Sequence, residues 1–130
     1  MEDARSVVLR FCDLMSQRET GAMLALVAED VHWAAVGRPD RFAYGGVHGK
    51  AEAEQYMPAF LAAFETFRFD VHDVICEGDR VAIDASSHGV MPTGKIYHNE
   101  YLMHFAVKDG QIVSIKEFFD QQELLEFVEA

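Results

Sequence analysis

Along the segment Gln111–Phe119, the residues Val113, Ile115, Glu117 and Phe119 share one strand face, and Glu117 is its single acid. We read that face as the inner one. A carboxyl held among apolar side chains loses hydration, which penalises its charged form and lifts its pKa toward neutrality. Glu117 is therefore the leading candidate for general acid–base chemistry. The segment Ile96–Lys108 puts Tyr97, Asn99, Tyr101, Met103 and Phe105 on one face. If Met103 faces inward, Tyr101 and Asn99 are placed to donate hydrogen bonds to a ligand oxygen. Their alternative role is to support Glu117 and pack across strands. Asp120 lies close by in sequence, but Asp120-Gln121-Gln122-Glu123 has the form of a capping box opening a helix, so both a pocket role and a cap stay open.

Other reactive residues point less firmly to chemistry. His98, Glu100 and His104 share the opposite face of their strand. Two ligands one residue apart can reach a single ion, but His104 is too far along for an easy third, so no metal site is expected. His32 and His48 read as structural or solvated, with His48 in a loop that could border a cavity mouth. Cys12 and Cys76 match no metal or redox spacing and read as free thiols acting as small hydrophobes. The chain has no nucleophile elbow, P-loop, HExxH or dinucleotide fingerprint, so action without a cofactor is the expectation.

The elements that must position these residues follow from periodicity. Ala4 to Ser16 repeats its apolar residues at helical spacing. Thr20 reads as the N-cap of a short helix that includes Met23, Leu24, Leu26 and Val27 and ends at Asp30. Val31 to Val36 reads as a strand, and Gly37 to Gly49 as a loop. A third helix spans about Lys50 to Glu65, with the stripe Ala53, Tyr56, Met57, Phe60, Leu61 and Phe64; Pro58 inside it should kink or split it. The period then changes to two. Strands are expected at Phe67–Cys76, Arg80–Val90, Ile96–Lys108 and Gln111–Phe119, with a type I′ turn at Asp109-Gly110 and a last helix at Gln121–Val128. The order α-α-β-α-β-β-β-β-α predicts an α+β fold: a curved antiparallel sheet packed against helices from the N-terminal half, forming a cone with an internal pocket.

Composition sets the outer limits. At 130 residues, 1–130 reads as one domain with a core of its own. Eleven Lys and Arg against 22 Asp and Glu give a net charge of −11, which argues against nucleic acid and anionic membrane partners. Arg38 and Arg41 are the one notable basic cluster, and two arginines make no patch. The opening Glu2, Asp3 and Arg5 do not resemble a signal peptide, and no apolar run approaches a membrane span, so a soluble cytoplasmic protein is expected.

Several stretches carry a resemblance that covers nearly the whole chain. They are Thr20-Gly21-Ala22-Met23 with Ala28-Glu29-Asp30-Val31, then Tyr44-Gly45-Gly46-Val47-His48-Gly49-Lys50, then Asn99-Glu100-Tyr101, and finally Val107 to Val113 with Lys116 to Asp120. Together they resemble the SnoaL-like and ketosteroid-isomerase-like proteins of the nuclear transport factor 2-like superfamily. The resemblance implies the cone, a buried cavity and a homodimer formed through the sheet, but no single reaction. Ketosteroid isomerase uses an Asp base with a Tyr and a protonated Asp as oxyanion hole. Those positions fall here on Ala35, Phe11 and Met103, which removes that chemistry. Limonene epoxide hydrolase roles fall on Tyr101, Met103 and Glu117, and only the last is an acid. SnoaL-type cyclases rely on an Asp near the end of the last strand, where Glu117 or Asp120 would stand. By the same carry-over Trp33 points inward beside Ala35, and the cavity wall would comprise Trp33, Phe11, Met15, Tyr56, Met57, Phe60 and Met103. Two functions fit: an acid–base enzyme acting on a hydrophobic, oxygenated small molecule as an isomerase, cyclase, dehydratase or hydrolase, or a non-catalytic ligand-binding or dimerisation module.

Overall fold

The structure, a computed structural model, describes residues 2–129. Its elements are α1 (Ala4–Ser16), α2 (Thr20–Ala25), β1 (Val27–Ala35), β2 (Gly46–His48), α3 (Lys50–Ala62), β3 (Thr66–Glu77), β4 (Arg80–Val90), β5 (Ile96–Lys108), β6 (Gln111–Phe119) and α4 (Gln121–Glu129). The six strands form one curved, unclosed sheet in the order β2-β1-β6-β5-β4-β3. All neighbours are antiparallel except β1 and β6, which run parallel because helix α3 and the β3–β5 meander separate them in sequence. The α+β class and the order of the main elements are as read from the sequence, with one short strand added.

Local departures have physical causes. The Gly37–Gly49 loop contains β2, whose three residues pair with Trp33, Ala34 and Ala35. Helix α2 ends at Ala25, and β1 begins at Val27, four residues earlier than expected. Thr20 is the first helical residue instead of the cap; Glu19 takes the cap position without a side-chain hydrogen bond. Helix α3 runs unbroken through Pro58, so one lost backbone donor is tolerated where Ala53 and Leu61 anchor the helix. At the β5–β6 hairpin, Asp109 and Gly110 adopt φ of 53° and 77°, the left-handed pair that a type I′ turn requires. Just past it the register slips between Ala106 and Val107, and Val113 is the extra residue. Consequently Ile112, not Val113, is buried with Ile115. Cys12 is buried, while Cys76 is exposed near the end of β3 and packs no core.

Helix α1 lies across β3, β4, β5 and β6, and α3 meets the sheet at β1. The space under α1 is solid: Phe11 makes edge contacts with Trp33 and Phe105 at 5.9 Å each. A second cluster of Phe42, Phe64, Tyr97 and Leu124 ties α4 and the Gly37–Gly49 loop to β5. Gly89 leaves room for Phe64, since a Cβ there would sit 2.5 Å from its ring. Between these two clusters the cone stays open.

Candidate functional site

The opening is a cavity of about 800 Å³. Its floor is the inner face of β1, β5 and β6, and α3 and α4 form its sides. Alternation along β5 and β6 puts Tyr97, Tyr101, Met103, Glu117 and Phe119 on that floor, with Met103 directly opposite Glu117 and Tyr101 opposite Phe119. From β1 come Trp33 and Ala35; Ala35 pairs with Glu117 and carries only a methyl group. Helix α3 contributes Tyr56, Met57 and Phe60, and α1 contributes Met15 at the inner end. Tyr56 and Phe60 stack at 5.6 Å with their planes only 12° apart. The wall is thus mainly flat aromatic surface.

Glu117 sits on this floor. Its side chain is half-buried and meets the open space of the cavity among mainly apolar neighbours. Burial pushes its pKa up from 4.5 to about 7, against smaller opposing effects from the Trp33 side-chain hydrogen bond and the nearby His48 charge. A carboxyl titrating there serves equally well as acid or base at neutral pH.

The two candidate hydrogen-bond donors on β5 part company. Tyr101 lines the cavity; its hydroxyl lies 2.9 Å from Ser87 Oγ, and burial holds its pKa well above 10. Asn99 is 1 % exposed and does not line the cavity. Its Oδ1 accepts the backbone N–H of Glu100 at 2.8 Å and of Asp120 at 3.0 Å. Its Nδ2 donates to the Asp120 carbonyl at 3.0 Å and to the Tyr97 hydroxyl at 2.7 Å. The sequence reading placed Asn99 against a ligand; instead its amide is spent inside the chain. Tyr97 accepts from Asn99 and its hydroxyl lies 3.5 Å from that of Tyr101, so the two phenols share one polar network on the cavity floor.

Two further expected residues lie away from the cavity. Phe11 belongs to the core behind Trp33. Asp120 is exposed, and its Oδ1 accepts the backbone N–H of Gln122 at 3.0 Å and of Glu123 at 3.3 Å, as a helix cap does. Trp33, Met15, Tyr56, Met57, Phe60, Met103, Tyr101 and Glu117 all line the cavity.

His48, read from the sequence as structural or solvated in a loop that could border the mouth, lines the cavity, and so does Glu52, which was not singled out. His48 Nδ1 lies 2.7 Å from Glu52 Oε2, and Nε2 lies 3.1 Å from the Tyr44 carbonyl. Glu52 is held in place because its other oxygen accepts the Gly49 N–H at the start of α3, at 3.4 Å. The loop bearing Tyr44 and His48 is pinned by Gly45, which leaves no space for a Cβ beside the Gly37 carbonyl, 2.5 Å away. A signal was present in the sequence: His48 precedes Glu52 by four residues across the Gly49 cap. Among the described residues, no group of three or more His, Cys, Asp or Glu side chains is placed to hold a metal, and no helix is long and apolar enough to cross a membrane.

Comparison with known proteins agrees with this architecture. Among solved structures, a nuclear transport factor 2-like protein of unknown function from Burkholderia pseudomallei superposes with a TM-score of 0.80 at 19 % identity, covering 100 % of both chains. IdmH from Streptomyces antibioticus, provisionally named a polyketide cyclase, gives 0.78 at 18 % identity, covering 99 % of this chain and 100 % of its own. TerC, co-crystallised with polyporic acid, gives 0.78 at 18 % identity and 98 % coverage of each chain. At such identities these likenesses establish the fold. The model of the SnoaL-like domain matches residues 8–115, most of the chain though short of Glu117 and α4, and the protein therefore belongs to the SnoaL-like domain family.

Proposed function

We propose that this protein binds a hydrophobic, oxygenated small molecule in the cone and transforms it by acid–base catalysis, as an isomerase, cyclase, dehydratase or hydrolase. The observation that carries this reading is a carboxyl, Glu117, on the floor of an aromatic cavity of about 800 Å³ with a pKa near 7. Glu117 takes and returns the proton. Tyr101 orients a ligand oxygen, with Tyr97 in the role first given to Asn99, and Asn99 holds Tyr97 in place. Trp33, Met15, Tyr56, Met57, Phe60 and Met103 grip the carbon skeleton. The similarity to IdmH and to TerC with its bound polyporic acid supports a small-molecule ligand.

A carbon-13 NMR titration of Glu117 tests this directly. A midpoint near neutrality is the expected result; one at the ordinary value of roughly 4.3 removes Glu117 as a desolvated acid. A second reading, ligand holding without turnover, is favoured by the apolar residues at Ala35 and Met103. It requires that Glu117→Gln leave every measurable property of the bound ligand unchanged. The outer sheet face further supports pairing of two copies. Leu102 and Phe118 are cross-strand neighbours there, 60 % and 48 % exposed. Sedimentation of the wild-type chain against Leu102→Lys tests that pairing.

A further inference from the structure

The acids and bases that line the cavity are unevenly matched. Among the described residues, no Lys or Arg side chain reaches it, and its charged groups are Glu52, Glu117 and His48. His48 is already occupied. Its Nδ1 meets the Glu52 carboxylate and its Nε2 the Tyr44 carbonyl, both acceptors, and the Glu52 hydrogen bond favours the charged ring. Together His48 and Glu52 are neutral. Glu117 is left with a hydrogen bond from the Trp33 side chain and no cation of its own. Burial dominates that carboxyl, and the His48 charge is the least of the three influences on it.

The surroundings of the carboxyl are aromatic, and the rings come from three elements. Trp33 on β1 donates to it. The phenols of Tyr97 and Tyr101 on β5 and of Tyr56 on α3 are raised in pKa by burial first, and each also feels the negative charge of Glu117. All four residues line the cavity. Two of the rings are braced from behind: Tyr56 stacks on Phe60 at 5.6 Å, and Tyr101 leans on Phe119 at 5.9 Å. The face of an aromatic ring is electron-rich and attracts a cation placed within about 6 Å of its centre. Rings and carboxyl thus favour the same sign of charge, on a chain whose net charge is −11.

We propose that the cavity takes an organic ammonium ion carried on a flat apolar skeleton, with Glu117 as its counter-ion and the rings of Trp33, Tyr56, Tyr97 and Tyr101 around the charge. The inference rests on reading the cone as a small-molecule site and adds the charge of the ligand. At about 800 Å³ the cavity exceeds what an ammonium head needs, and Met57, Phe60 and Met103 take the skeleton. Binding is linked to a proton. Below neutrality Glu117 must release its proton to pair with the cation, so affinity rises with pH until the carboxyl is ionised beforehand. The other titratable groups around this space are His48 on β2, Glu52 and Tyr56 on α3, Tyr44 on the mouth loop, and Tyr97 and Tyr101 on β5; α4 adds only Leu124 and Val128.

The probe is 2-naphthylmethyl-trimethylammonium, which is charged at every pH. Isothermal titration calorimetry compares it with 2-naphthylmethanol and 2-naphthoate between about pH 5.5 and 8. At the alkaline end the cation should bind at least tenfold tighter than the alcohol, and naphthoate more weakly than either. Cation affinity should rise about tenfold per pH unit below neutrality and level off above it. Glu117→Gln should bring the cation down to the alcohol and remove the rise, whereas His48→Gln should keep the rise. Tyr56→Leu should weaken the cation about fivefold and leave the alcohol within about twofold. Thermal melts confirm that the variants fold. An alcohol that binds as tightly as the cation overturns the inference while leaving the cavity a small-molecule site. A rise that follows His48 instead of Glu117 overturns it, and so does the failure of all three probes to bind. In the carbon-13 titration, saturating cation should lower the Glu117 midpoint by at least one pH unit. A neutral midpoint that stays put overturns the inference and leaves Glu117 as a desolvated acid.

Discussion

The closed and open ends of the cone are built from the same kinds of residue and do opposite work. Below Trp33, Phe11 and Phe105 interlock in edge contacts under a helix that crosses four strands. Beyond Trp33, Tyr56, Phe60 and Phe119 are just as aromatic, but α3 meets the sheet at β1 and leaves their faces around open space. Apolar composition alone therefore does not distinguish a core from a pocket. What separates them is whether a helix lies down on the sheet or stands off from it. Glu117 is tolerable at the open end because a ligand or water can reach it; the same carboxyl among Phe11, Val8 and Phe105 would find no partner.

Substitutions at the two ends should break this symmetry in opposite directions. Phe11→Ala at the closed end should cost about 4 kcal/mol of unfolding free energy, measured in urea, with the cavity wall left in place. Glu117→Gln should stabilise the chain increasingly as pH rises above 4.5, with the full gain reached just above neutrality. The folded-state pKa of Glu117 is raised from 4.5 to about 7, so the carboxyl favours the fold below pH 4.5 and that advantage drains away as pH rises through 7. At pH 8 the difference is about 3 kcal/mol, and at pH 4.5 it is nearly gone. Paired urea melts at those two pH values check the sign; an equal difference at both would mean that proton binding is not the cause. Asn99→Ala should cost roughly 2 kcal/mol, since it strands two backbone N–H groups, and should also loosen Tyr97. Leu102→Lys on the outer face should change monomer stability by less than about 0.5 kcal/mol, its effect being confined to self-association in sedimentation.

The sequence disclosed what depends on period and hid what depends on partners. Two-residue alternation identified Tyr101, Met103 and Glu117 as one face, and three-four spacing identified the α3 wall. Asn99 has the right parity and the wrong task, because strand parity says which face a side chain takes and nothing about what it bonds there. Its use only becomes visible once the β6–α4 junction brings the Asp120 backbone to it. Phe11 failed for a related reason: it was set in the wall by the resemblance, which supplies a position and not whether that position meets protein or cavity. His48 was read as structural or solvated in a loop because its setting is β2, a strand too short to read from three residues among glycines. Asp120 was legible as a cap because capping is local, and local chemistry survives in one dimension.

The slip at Val113 has a consequence for how this chain tolerates change. Across from it, β1 also shifts register between Val27 and His32, so the parallel pair is irregular at the same level on both strands. Above the slip, Val27 and Ile112 belong to the solid end; below it, Ala35 and Glu117 belong to the cavity. A continuous ladder would transmit an inserted or deleted residue down its whole length and turn every side chain over. An interrupted one confines the error. The turn at Asp109-Gly110 can thus vary in length while the carboxylate keeps its heading, which lets the outer end of this hairpin drift over generations without moving the residue on which the chemistry depends.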